Sequence, residues 1–322
     1  ALFSWSDRPA STNRTLHSTR FTALLATCLP PVRFIGSYEP HSNILPWRYS
    51  GAEVIEVLDA ESGGPCITSL SQSLKRVKGR PIVGAFSAAS NVSGIVTDVV
   101  AVTRVLKAAG AIVVWDYAGG APYLPIDLCP ANDALIDAVV VSPHKFVGGP
   151  QASGVLILRH DIVQTNTPTL SVGGTVRFVS PTSPDYSPDV ETREEAGTPN
   201  VIGCLFSTSP SPLKSVITQD FITKRNRENF SKGLTAWMPH PNIEILGNTQ
   251  CDRLPIFSFR LRDGKAGFIH QPLVTRLLSH VFGIPPRGGR ALAGPSAHLI
   301  PDACTHASAA VRVALLPGTS YT

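Results

Sequence analysis

Ser142-Pro143-His144-Lys145-Phe146-Val147-Gly148-Gly149-Pro150 decides how the rest of this sequence is read. It follows an apolar run, Ala138-Val139-Val140-Val141, that reads as a buried strand. A lysine just past the carboxyl end of such a strand, beside a serine, a histidine and a glycine pair, is placed for chemistry rather than solubility. Upstream, Ala111-Ile112-Val113-Val114-Trp115 is a second apolar run that ends in a polar residue, Asp116. Two parallel strands delivering an acid and an amine to one edge put both in the crevice where open α/β sheets bind ligands.

Working outward, strand-like and helix-like segments alternate from about residue 32 to 160. Val32 to Ile35, Ala52 to Leu58 and Pro81 to Phe86 read as strands, and Ile67 to Val77 reads as a helix. Thr97 to Ala109 carries an apolar stripe of Val99, Val100, Val102, Val105 and Leu106 at helical spacing. Gly154 to Leu158 follows as a further strand. This rhythm predicts an α/β fold with a mostly parallel sheet and helices on both faces. Residues 161 to 215 are rich in Pro, Ser, Thr and Gly, a turn-rich stretch long enough to be expected to be either functional or disordered. From about 220 onward a strand at Leu254 to Leu261, a helix near Leu273 to Phe282 and a Gly-rich loop at Arg287 to Gly294 predict a smaller α+β domain. The expected division is 1–37 as a divergent or truncated N-terminal segment, 38–215 as the large domain and 216–322 as the small one.

Composition excludes several function classes. The 322 residues are 43% hydrophobic and 16% charged, an ordinary balance for a chain with a sizeable core. No apolar run approaches the roughly 18–20 residues that cross a bilayer, so no membrane partner is expected. The net charge of +5 comes from scattered Lys and Arg without interleaved aromatics, which argues against a nucleic-acid partner. The six cysteines, Cys28, Cys66, Cys129, Cys204, Cys251 and Cys304, form no CxxC pair, so neither a metal site nor a disulfide framework is expected. Reduced thiols fit a cytoplasmic location. Residues 1 to 37 hold four arginines and one acid, Asp7, a composition faintly like an organelle transit peptide, which leaves organellar import open.

A lysine and an acid at one sheet edge suggest pyridoxal 5'-phosphate (PLP), which needs an amine for its Schiff base and a carboxylate for its pyridinium nitrogen. Lys145 is the candidate catalytic residue. Asp116 would keep the ring protonated so that it accepts electrons. Ser142 and His144 can offer a hydroxyl and an imidazole to the phosphate. Each has a plainer reading: a surface lysine, a turn-starting aspartate, a serine that caps the turn before Pro143.

Asp116-Tyr117-Ala118, Ser142-Pro143-His144-Lys145 and Glu195-Ala196-Gly197-Thr198-Pro199 resemble blocks of the class V aminotransferase family, in particular its cysteine-desulfurase-like branch. Glu39-Pro40-His41-Ser42-Asn43-Ile44-Leu45-Pro46-Trp47 and Ser87-Ala88-Ala89-Ser90-Asn91-Val92-Ser93-Gly94 resemble two more, in the family's order. The resemblance implies a PLP-dependent transferase of fold type I and a homodimer that shares its active sites. It implies that His41 stacks on the cofactor ring and that Asn91 lies near its phenolic oxygen. It further implies that Thr175 reaches the phosphate in the neighbouring subunit, and that Arg287 faces the substrate carboxylate, the natural partner of a guanidinium fork.

The sequence also departs from that branch. Leu292 stands where the desulfurases carry a nucleophilic cysteine, five residues after the arginine, and Cys304 lies too far on to replace it. Gly119 stands where many relatives have a glutamine. Residues 1 to 34 offer only Ser11-Thr12-Asn13 in place of the family's phosphate-gripping loop. The expected function is therefore PLP-dependent chemistry on a small-molecule amino acid, by transamination or a lyase reaction rather than desulfuration. The competing reading is a degraded PLP-fold pseudoenzyme that acts as a binding protein. A dinucleotide-binding protein is excluded for want of a Gly-rich turn after the first strand.

Overall fold

The computed structural model describes residues 30–208, 210–264, 267–289 and 310–315, with backbone alone at 210–213. Six strands make the principal sheet: β1 (Val32–Gly36), β2 (Glu53–Val57), β3 (Ile82–Ser87), β4 (Ile112–Asp116), β5 (Ala138–Val141) and β6 (Val155–Leu158). Their spatial order is β2-β1-β3-β4-β5-β6. The first five run parallel, and β6 closes the edge antiparallel to β5. The near-continuous apolar runs at β3, β4 and β5 suit strands buried on both faces.

Three helices cross between the strands: α1 (His41–Arg48), α2 (Ile67–Arg76) and α3 (Val99–Ala108). Asp98 starts α3 by accepting the Ala101 N–H on its side chain at 2.9 Å, relieving one of the unpaired donors of a helix start. Leu70 and Leu74 of α2 pack with Val102 and Leu106 of α3 on Phe34, Phe86 and Trp115 at one face of the sheet. Ile44 and Trp47 of α1 pack on Ile35 and Ala85 at the other. Helices on both faces and a mostly parallel sheet are thus present as expected. The sheet also takes in β1, so residues 32–36, assigned on composition to a divergent N-terminal segment, form a strand between β2 and β3.

Gly84 sits mid-strand in β3, where α3 approaches most closely. A Cβ added there would lie 2.5 Å from Leu106 Cδ1, and Leu106 is fully buried with nowhere to move. Gly84→Ala should therefore destabilise the chain by about 1–3 kcal/mol through overpacking. A lower urea midpoint at unchanged slope would check it; an unchanged midpoint would show that the α3 packing is looser than described.

The turn-rich middle is more ordered than its composition suggests. It holds a hairpin of β7 (Val176–Val179) and β8 (Pro184–Tyr186), then α4 (Val190–Glu194), α5 (Val201–Thr208) and α6 (Pro210–Ile217). Prolines at 210 and 212 fall in the first turn of α6, where a missing N–H costs nothing, so they mask a helix without breaking it. Arg193 is buried and staples the segment, donating to the carbonyls of Ser187, Pro188 and Thr165.

The carboxyl-terminal part adds α7 (Gln219–Trp237), β9 (Ile243–Ile245), β10 (Ile256–Leu261), α8 (Gln271–Phe282), β11 (Arg287–Gly288) and β12 (Val311–Ala314). Its strands form an antiparallel sheet in the order β11-β12-β10-β9. Phe259, Val274 and Val311 make its core, with Trp237 and Leu278 packed against them. α6 runs across residue 215, so the expected boundary there falls inside a helix. The two sheets are joined by backbone. Val96 N–H donates to Asp252 O at 2.9 Å, Leu254 N–H donates to Gly94 O at 2.8 Å, and the Ser258 hydroxyl donates to Val92 O at 2.6 Å.

Candidate active site

The strand order reverses at β1: β2 lies on one side, while β3, β4 and β5 follow one another on the other. In open α/β sheets that reversal opens the ligand crevice beyond the carboxyl ends of the strands. Four polar residues stand at that edge: Glu39 after β1, Ser87 ending β3, Asp116 ending β4 and Lys145 after β5. In register, Ser87 pairs with Asp116, and Asp116 with Val140.

Lys145 ends a single 3-10 turn, Pro143–Lys145, in which its N–H donates to Ser142 O at 3.0 Å. Pro143 is buried and Phe146 packs into the main core, so the turn is clamped on both sides of the lysine. Much of Lys145 faces solvent, yet burial of its ammonium end holds its pKa below the ordinary lysine value. The Asp116 carboxylate opposes that shift and the Arg312 guanidinium adds to it. A lysine so placed sheds its proton more readily, as an amine nucleophile or base must.

Burial pushes the Asp116 carboxyl above the ordinary aspartate value, against the pull of the Ala118 N–H and of Lys145. The Ala118 N–H donates to Oδ1 at 2.7 Å. An acid held out of water with so few donors gains most from a cationic partner.

Asn91 holds a buried Oδ1 without a hydrogen-bond partner among the described residues. Its own carbonyl accepts from Arg312 of β12. Arg312 stands directly opposite Arg287 in the β11–β12 pairing, so their side chains share one face. Burial lowers the Arg312 pKa, and the Arg287 charge lowers it further. Two guanidiniums side by side attract an anion. Sequence reading singled out Arg287 and missed Arg312, whose setting, Val311-Arg312-Val313-Ala314, looks like any alternating strand. Only the antiparallel register gives it a role.

The other expected residues are placed as follows. Ser142 is half-buried at the start of the Lys145 turn, and its side chain caps nothing there. His144 is exposed. His41 is exposed as the first residue of α1, after Pro40. Thr175 has no exposed surface, and its hydroxyl donates to Val172 O at 2.7 Å within its own chain. Gly119 lies beside Asn91, with an added Cβ 4.0 Å from the Asn91 Cβ. Leu292, Cys304 and Ser11-Thr12-Asn13 lie outside the described residues. Sequence reading also gave no role to Glu39, fully buried at the same edge.

The chain is 34% identical over 213 residues to a probable cysteine desulfurase 2 of Mycobacterium leprae, covering 65% of this chain and 49% of the relative. It is 29% identical over 231 residues to a cysteine desulfurase of Pectobacterium atrosepticum, covering 70% and 54%. It is 28% identical over 268 residues to the cysteine desulfurase CsdA of Escherichia coli, covering 80% and 61%. The chain thus spans about half the length of the curated relatives it matches. Its fold superposes on the crystal structure of E. coli CsdA with a TM-score of 0.75 at 23% identity, over 94% of this chain and 73% of that one. The apo cysteine desulfurase of Thermococcus onnurineus gives 0.74 at the same identity and coverage. The family model described as aminotransferase class-V matches residues 34–317, and the chain belongs to that family.

Proposed function

We propose that this chain is an enzyme acting on the α-carbon of a small amino acid, with Lys145 as the residue that bonds the cofactor and moves protons. The class-V aminotransferases and cysteine desulfurases are PLP-dependent. The residues present fit that group. Asp116 offers a buried carboxyl to a ring nitrogen, Asn91 an unsatisfied Oδ1, and Lys145 an amine with a depressed pKa. Bound there, PLP supplies an electron sink for charge developing at the substrate α-carbon.

The chain's own residues do the rest. Lys145 takes the α-proton and returns it. Asp116 keeps the ring nitrogen protonated, and Asn91 orients the phenolic side. Arg287 and Arg312 hold the substrate carboxylate in a fork that fixes which bond stands over the crevice. Ser142 and His144 are proposed for the phosphate and His41 for the ring face. A second subunit would complete the site, and the exposed apolar surface of Val201, Ile202, Leu205 and Phe206 on α5 supports a homodimer.

The observation that carries this reading is the convergence of Lys145, in the turn after β5, with Asp116 at the end of β4 and Arg312 of β12, whose two charges both act on the Lys145 ammonium. Leu292, five residues after Arg287 in the sequence, has no thiolate to attack a sulfur atom, which favours transamination or elimination over desulfuration. It also favours, as the second reading, a scaffold whose catalysis has decayed. Both activities are measured on one preparation reconstituted with PLP. Exchange of the α-proton of a bound amino acid with deuterium, without sulfide from cysteine, is the expected result. Sulfide release at about one per second or faster would overturn the reading of position 292. Absence of both would leave the scaffold.

Replacing Arg312 with Met should remove one arm of the carboxylate fork and leave Lys145 and Asp116 in place. A rise in KM of about 10- to 100-fold is expected, equal to the roughly 1.5–3 kcal/mol of a charge-assisted hydrogen bond. If KM is unchanged, Arg312 holds only the Asn91 loop.

A further inference from the structure

We propose that Glu39 is a positioning residue of the cofactor site, holding the end of β3 beside Asp116 through Ser87 and the first turn of α1 through Asn43. The inference rests on the reading above, that the crevice takes PLP.

The geometry starts from burial. Glu39 is 1% exposed, in the short loop between β1 and α1 at the sheet's reversal point. A carboxyl so placed is costly unless its oxygens find donors. Oε1 accepts the Ser87 N–H at 2.8 Å. Oε2 accepts the Ser87 hydroxyl at 2.6 Å and the Asn43 amide at 2.5 Å. Asn43 is itself oriented by the Trp47 indole N–H, which donates to its Oδ1 at 3.0 Å, so the amide faces Glu39 with its nitrogen. The strand ending at Gly36 has no room for a larger residue, because a Cβ there would lie 2.9 Å from Glu39 Oε1. The chain thus gives up a side chain at 36 to admit the carboxyl.

This network spans the crevice at β1 and β3, and its far end, Ser87, is the register partner of Asp116. Its near end fixes the turn that begins with His41. Thr97 braces Ser87 from the other side, its hydroxyl donating to Ser87 O at 2.8 Å. The tie itself uses both carboxyl oxygens as acceptors, and an amide would keep one acceptor and turn its NH2 toward a donor. A carboxyl, paired only with neutral donors and facing a second buried acid, does something an amide cannot: it adds to the negative potential under the ring nitrogen.

Electrostatics agrees with that placement. Burial pushes Glu39 up to about 8; the Ser87 and Asn43 donors oppose the shift and the Asp116 charge adds to it. The titratable neighbours are Asp116 from β4, with Lys145 behind it, and Tyr38 from its own loop, with Asp59 behind that. A positive ring nitrogen at Asp116 favours the ionised form of Glu39. Its charge then helps to hold the ring proton.

The test uses the full chain, with and without PLP, as wild type, Glu39→Gln, Glu39→Asp and Ser87→Ala. With PLP, the pH at which the bound cofactor changes colour is read by absorbance. In Glu39→Gln it should fall by about one unit, the size of a nearby charge's effect on a buried group. Ser87→Ala, which strips one donor and leaves the charge partly neutralised, should lower it less, and Glu39→Asp should restore part of the shift. Without PLP, Glu39 contributes stability that is complete below about 4.5 and lost as pH rises through about 8, because its pKa is raised on folding. That slope in the unfolding midpoint should flatten in Glu39→Gln. If Glu39→Gln does not fold, the shift in Ser87→Ala decides alone. A coloured, folded Glu39→Gln or Ser87→Ala with an unmoved transition overturns this inference and leaves the proposed function standing. A folded wild type that stays colourless with excess PLP overturns both.

Discussion

Lys145→Ala is expected to abolish the yellow colour that borohydride should fix to the wild-type protein, and with it α-proton exchange. The loss follows from two roles meeting in one amine. Without it the cofactor has no covalent anchor, and His144 beside it has no primary amine with which to form one. Removing a positioned base costs about 10²–10⁴-fold by itself, and losing the covalent anchor adds to that. The fold should survive, because Lys145 makes no ion pair among the described residues and its turn is held by Pro143 and Phe146. Mass spectrometry after borohydride treatment, with circular dichroism as control, reads both. If the variant stays yellow and reducible, a different lysine is the anchor. Lys214 is the first to examine, since burial lowers its pKa to about 8 and its ammonium already donates to Ala121 O and Leu124 O.

Asp116→Asn is the second large effect. The amide keeps the size and can still accept the Ala118 N–H, so stability should change little. The charge under the ring nitrogen is gone, and the ring loses the proton that makes it an electron sink. A fall in kcat of about 10²–10³ is expected, the range for removing one preorganised electrostatic contact, with KM nearly unchanged because the arginine fork is untouched. An equal rise in KM would mean that the acid serves binding instead. Because burial already raises this carboxyl, the wild-type rate should also drop at low pH as Asp116 takes up a proton.

What the sequence disclosed, and what it hid, divides along one physical line. Strands buried on both faces announce themselves as apolar runs, so β3, β4 and β5 were legible, and with them the residues at their ends, Asp116 and Lys145. The helices α2 and α3 were legible from one-sided stripes ending in Leu74 and Leu106. Helices α4 to α6 were not, because prolines and serines in a first turn look the same whether or not a helix follows. Arg312 was hidden because its meaning comes from register with Arg287, a relation between strands about two dozen residues apart. Glu39 was quoted as part of a block yet given no role, since nothing local says that a glutamate will lie beneath the sheet edge rather than in water. The role of Thr175 came from the family resemblance, which says nothing of its burial in this chain.

The pairing of β12 between β10 and β11 has a consequence for synthesis on the ribosome. Glu39, Ser87, Asp116 and Lys145 are all delivered by the first 145 residues, on strands that pair with one another. The two guanidiniums that would take the substrate arrive more than a hundred residues later, Arg287 on β11 and Arg312 on β12. A nascent chain would therefore own a cofactor pocket well before it owned a substrate pocket. Captured early, PLP would stabilise the half-built sheet by mass action while the amino-acid side was still unmade.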